Sequence, residues 1–359
     1  MSNINKLPPP HHHVSIETET VSGTERNYGI DFLKFVFANA ILYYHLMIFL
    51  VPLFPENVLF KKLLQKSAGG GAAVSYFFII SGYFLAKSFN NETFRSLVIK
   101  KIVRLYPLLL FSDVILLKKN VLDGFIANLF FLDSSLGVIR IPAPNAPLWY
   151  VCVLFYLSLF FYMLDKFFDD KKEIFILCIL SFLSWNLSQN GPHGNYDISA
   201  LYVFTPGLLS GICSMSAGII LYKFLPSDAL KSNVWIKCAI TLLFFFLVYH
   251  LSFHRPVRDG LSLRLMFLVL FSLSVLYPVK IFRHSFFRYL GKCSFSIYVM
   301  QFIGFKILEK TLWANHHFMN KHSAWAVILS LMLCYVVAIL THHLIERPAG
   351  EFLKRKLKP

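Results

Sequence analysis

Apolar runs of about 20 residues follow one another from residue 30 to residue 345, and they leave this chain few ways to fold. A helix rising ~1.5 Å per residue crosses the ~30 Å hydrocarbon core of a bilayer in about 20 residues. Lipid offers no partner to a bare backbone, so only helices and closed barrels can span it. The runs lie near 30–51, 70–89, 105–117, 147–164, 173–188, 200–222, 235–252, 261–279, 291–309 and 324–345. The third is short, and the apolar stretch 121–132 after it reads as re-entrant or interfacial. A composition 56% hydrophobic and only 15% charged removes the alternative of several soluble domains. The expected fold is an all-α polytopic integral membrane protein of about ten transmembrane helices.

The net charge of +16 would fit a nucleic-acid partner only if the basic residues were clustered. They sit instead in short segments between the runs, so the bilayer is the expected partner and nucleic acid is not. With the N-terminus placed inside, the inner segments carry 22 Lys and Arg against 10 in the outer loops. Such a bias puts both termini in the cytoplasm. Residues 1–28 are polar, with a proline run and His11–His13, and lack the apolar core of a signal peptide. They read as a disordered cytoplasmic tail, 29–348 as the transmembrane domain, and 349–359 as a basic cytoplasmic tail. The six cysteines are scattered singly without CxxC or metal-ligand spacing, so neither a disulfide nor a metal site is expected.

The first run opens IDFLKFVFANAILYYH (30–45), which puts Asp31, Lys34 and His45 into a segment built for lipid. Ionisable groups there cost several kcal/mol each and mark functional positions. Lys34 and His45 are eleven residues apart, three helical turns plus about 20°, so they share a face and lie ~16 Å apart along the axis. Asp31, three residues before Lys34, is within side-chain reach. Such a stripe must face protein or a water-filled cavity. It reads either as a snorkelling lysine with its counter-ion plus a hydrogen-bonded core histidine, or as a site in which a neutral imidazole acts as general base.

The second run holds Ser81-Gly82-Tyr83, a small pair in an aromatic helix that allows close packing or a kink. It is followed by the basic loop FRSLVIKKIVRLYP (94–107). Lys101 and Arg104 are one turn apart and Lys100 adds a third cation. Ordinary positive-inside bias explains a basic loop; a phosphate-binding cluster, with the arginine fork and two point charges, explains it too.

These segments, in this order, resemble acyltransferase family 3, the membrane proteins that O-acylate sugars and lipids. The resemblance runs from Tyr28 to Pro348, carried by GIDFLKFVFANAILYYH, FFIISGYFLAKSF and KKIVRLYP, with weaker echoes in PLWYVCVLFYL, LGKCSFSIYVMQF and IERP. It implies that Lys34 and His45 are the family's basic–ten residues–His motif, and that Lys101 and Arg104 are its basic-x-x-Arg motif for handling acyl-CoA. The implied donor is cytoplasmic acyl-CoA, acetyl-CoA or succinyl-CoA; no metal is implied. The implied acceptor is a hydroxyl of a cell-surface polysaccharide, lipid-linked glycan or related molecule, and the implied location is a bacterial cytoplasmic (inner) membrane. Lysine stands at 34 and 101 where arginine is commoner in the family. Gln301 stands where many members have histidine, and no Glu follows Trp149 among Val151, Cys152, Val153 and Leu154.

A transporter or flippase of a polysaccharide precursor is the rival, with the polar stripe as its path; the halves show no repeat of the kind transporters often have. His250 and His254 at an outer end could line the acceptor side. His316, His317 and His322 fall in an outer loop, His342 and His343 near Glu346, and none forms a metal signature. The outer loops LDSSLGVIRIPAPNAP and SQNGPHGNYDIS are polar enough to meet a glycan but specify none. Neither the acyl group nor the oligomeric state follows from the sequence.

Overall fold

A bundle of apolar helices leaves its backbone polar groups satisfied only if each helix starts and stops cleanly, and several caps here do that. Asn27 accepts from the backbone N–H of Gly29, Thr93 from Ser96, and Thr205 from Leu208 with Pro206 in the first turn. A computed structural model describes residues 27–67, 70, 72–117, 122–132, 136, 144–190, 205–226, 234–253, 260–278, 284–314 and 323–357. The tail 1–26, most of the two polar loops quoted above, and His254, His316, His317 and His322 lie outside them.

The described residues are helical throughout, with no strand. In chain order the helices are α1 (Tyr28–Leu53), α2 (Val58–Ser67), α3 (Ala73–Ser88), α4 (Phe94–Leu116), α5 (Leu122–Leu129), α6 (Leu148–Phe167) and α7 (Asp170–Asn190). Then come α8 (Pro206–Phe224), α9 (Val234–Phe253), α10 (Gly260–Leu276), α11 (Ser285–Ala314) and α12 (Ser323–Thr341). A π-helical turn, His342–Glu346, leads into α13 (Arg347–Leu357). Four stretches, Gly29–Leu53, Leu148–Phe167, Pro206–Phe224 and Ser323–Leu357, are long and apolar enough to cross a membrane, and three shorter apolar helices join them. Large side chains such as Phe245, Leu242, Met332 and Leu340 point outward, as a surface solvated by lipid requires.

Glycine sets the closest approaches. A Cβ on Gly218 of α8 would land on the Ile79 carbonyl of α3, and one on Gly82 of α3 on the Met215 carbonyl of α8. These two helices therefore touch backbone to backbone, which accounts for the Ser81-Gly82 pair as a packing device. α1 packs most extensively on α11, and α11 in turn on α12, where Gly304 leaves room for the Cys334 thiol.

One difference from the sequence reading bears on the site. The basic loop 94–107 and the short run 105–117 form one continuous helix, α4, even though Pro107 lies inside it. Proline has no N–H to give the carbonyl four residues back, here Val103. The backbone of Gly350 in α13 approaches that carbonyl, a Cβ at 350 standing 3.8 Å away.

Candidate active site

Asp31, Lys34 and His45 all lie on α1, and the structure shows what each faces. Asp31 is buried, with Lys34 Nζ 3.4 Å from its Oδ1. Lys34, half-buried, reaches towards α3, its ammonium 5.5 Å from the centre of the Phe84 ring. Three turns on, His45 meets Phe302 of α11 edge-on at 5.6 Å and lies within side-chain hydrogen-bonding reach of Gln301. The stripe thus faces protein, as the cost of lipid exposure demands.

On α4, Lys101 and Arg104 come together while Lys100 turns away. Lys100 is exposed and bound to Glu92 at 3.0 Å. Lys101 precedes the apolar part of α4 and is half-buried. Burial, then the neighbouring Arg104 charge, pulls its ammonium down to about 8, with Glu92 opposing. Arg104 is exposed although its neighbours Val103 and Leu105 are buried, and its charge acts on Tyr150 of α6.

α3 bridges the two groups. Phe84 receives Lys34, and Ser81, one turn earlier, is within reach of the Tyr150 hydroxyl. From Tyr150 the aromatic wall continues through Phe77 and Phe78 to Tyr298, with Tyr150 and Tyr298 5.5 Å apart in edge contact. Tyr298 is three residues from Gln301, whose Nε2 donates to the Tyr298 carbonyl at 2.8 Å. Contacts therefore run from Tyr150, on which the Arg104 charge acts, through Tyr298 and Gln301 to His45.

Sequence reasoning missed a second polar cluster. Asn128 of α5 donates to the buried Asp113 at 2.8 Å, and Asn145 donates to Ser112 and to the Val299 carbonyl, each at 3.0 Å. Asp113 interrupts an apolar run, the same signal that singled out Asp31, and could have been found by it. Arg264 is comparable: its guanidinium donates to Ser210 of α8 at 3.0 Å, tying α10 to α8. Near the chain's end, His342 Nδ1 is 2.8 Å from Glu346 Oε2, which also accepts from Ser296 of α11. Among the described residues no group of His, Cys, Asp and Glu could hold a metal.

An apolar helical bundle that buries an acid, a lysine and a histidine along one helix defines an integral membrane protein with an internal polar site. The chain belongs to acyltransferase family 3: the family described as an acyltransferase domain matches residues 27–343, nearly its whole length. It is an integral membrane acyltransferase. No curated protein and no solved structure matches it.

Proposed function

We propose that this protein moves an acyl group, acetyl or succinyl, from cytoplasmic acyl-CoA to a hydroxyl of a cell-surface polysaccharide or lipid-linked glycan. In this reading about ten helices cross a bacterial inner membrane with both termini cytoplasmic, as the bias of Lys and Arg favours. One observation carries it: along one turn of α3, Phe84 takes the Lys34 ammonium and Ser81 lies within reach of Tyr150, on which the Arg104 charge acts and which meets Tyr298 beside Gln301 and His45.

Lys101, Arg104 and Lys34 hold the phosphates of CoA, Arg104 by its planar fork and the lysines as point charges. Lys100, held by Glu92, contributes only to the surrounding field. The pantetheine arm follows the wall of Phe77, Tyr150 and Tyr298 into the bundle. Asp31 balances Lys34 when the site is empty. His45 takes the proton of the acceptor hydroxyl as its oxygen attacks the thioester carbonyl. The tetrahedral intermediate collapses with cleavage of the C–S bond, and the CoA thiolate leaves and recovers that proton from the imidazolium. No acyl-enzyme is needed.

Protein in nanodiscs, given radiolabelled acetyl-CoA or succinyl-CoA and a glycolipid extract of the host, tests this directly. Label in a glycan or lipid, lost in His45→Ala that still folds and inserts, is the expected result. Flux of a glycolipid without consumption of acyl-CoA would replace the reading with the flippase.

A further inference from the structure

A general base works only if its lone pair faces the proton it must take, so something has to choose between the two neutral tautomers of His45. On α1 nothing does. His45 Nδ1 is buried without a hydrogen-bond partner, and so, on α11, is Gln301 Oε1. The two residues are within side-chain hydrogen-bonding reach of one another, and Gln301 is 1% exposed. The direction of the Gln301 amide is fixed by chemistry. The Tyr298 carbonyl can only accept, so the group 2.8 Å from it is the amide nitrogen, and the oxygen points the other way. Phe302, edge-on to His45, is the next residue on α11 and limits how far the ring can turn from that oxygen.

We infer that Gln301 is a positioning residue: its Oε1 accepts Nδ1–H of His45, which holds the imidazole in the tautomer whose Nε2 lone pair faces the acceptor hydroxyl. This rests on the reading of His45 as the general base. It gives an amide a role at a position where proton transfer is not required of it. The Tyr298 carbonyl orients Gln301, Gln301 orients His45, and only His45 exchanges a proton. A small rotation of either side chain closes the contact and satisfies both buried atoms, each of which is costly to leave unmatched.

The test reads the tautomer without any substrate. Full-length protein with 15N-labelled histidine, in nanodiscs, gives the His45 imidazole signals by difference from His45→Gln. The wild type is expected to show Nδ1 protonated and Nε2 bare. Gln301→Leu is expected to move His45 to the Nε2–H form and to lower kcat by about 100-fold, the scale of general-base catalysis, with KM for acyl-CoA unchanged. Gln301→Glu, which keeps an acceptor oxygen, is expected to retain Nδ1–H. The inference is overturned if Gln301→Leu, still folded, keeps the wild-type tautomer and kcat, if the two variants behave alike, or if the wild type carries its proton on Nε2. Failure of the reading this rests on looks different: full acyl transfer by His45→Ala removes His45 as the general base, whatever the tautomer.

Discussion

Asp31 on α1 lies against the bare backbone of Gly291 on α11, so close that a Cβ at 291 would stand 2.9 Å from the Asp31 carboxyl carbon and 2.8 Å from its Cα. The acid that pairs with Lys34 is thus held in place by the absence of a side chain on another helix. Gly291→Ala should force α1 and α11 apart, with a cost of about 1–3 kcal/mol as for other overpacked sites. Thermal unfolding in detergent measures it. Acyl transfer should fall further than the loss of folded protein explains, because the Asp31–Lys34 pair moves.

The α3–α8 seam offers a contrast. At Gly218 a Cβ meets a backbone carbonyl that cannot swing aside, whereas at Gly350 the nearest atom is at ordinary van der Waals distance. Gly218→Ala should lower the unfolding temperature and the yield of folded protein. Gly350→Ala should be neutral or stabilising by up to about 1 kcal/mol, since alanine is the better helix former. Parallel melting curves of the two variants check both signs.

Lys101 gives the proposed donor site a pH dependence. Its ammonium is charged below about 8 and loses its proton above it, because burial and Arg104 depress the usual lysine value. Binding of CoA phosphates should therefore weaken as pH rises through about 8. Lys101→Arg, whose side chain stays charged, should remove that loss while keeping affinity at pH 7. Equilibrium binding of CoA from pH 6.5 to 9.5 reads the difference.

Glu346 accepts from both His342 and Ser296 and so ties the π-turn to α11. Glu346→Ala leaves two donors unmatched and should destabilise by about 1–3 kcal/mol. Hydrogen exchange at 342–346 should quicken locally while α1 is unaffected.

The sequence made the local features legible and left the distant ones hidden. Asp31, Lys34 and His45 share a helix, so spacing alone put them on one face. Lys101 and Arg104 are one turn apart, and their pairing followed for the same reason. What joins the two groups is tertiary: Phe84 under Lys34, Ser81 beside Tyr150, and Tyr150 within the field of Arg104. Nothing in one chain pairs residue 81 with residue 150. Gln301 read as a departure from the family pattern, because its proximity to His45 exists only once α11 lies on α1. The basic stretch 94–107 read as a loop because charge hides helix-forming residues that Thr93 caps, and helical hydrogen bonding runs on past Pro107.

That proline sits between the two ends of α4 that matter, Arg104 on one side and the Asp113 anchor on the other. A helix missing one rung of its ladder bends there more easily than elsewhere. The basic end can therefore tilt relative to the Asp113 end, which stays fastened to α5. The carbonyl that Pro107 cannot bond lies 3.8 Å from where a Cβ on Gly350 would stand, so the C-terminal helix packs beside the joint. A displacement of α13 is therefore felt first at the one point where α4 lacks a backbone donor.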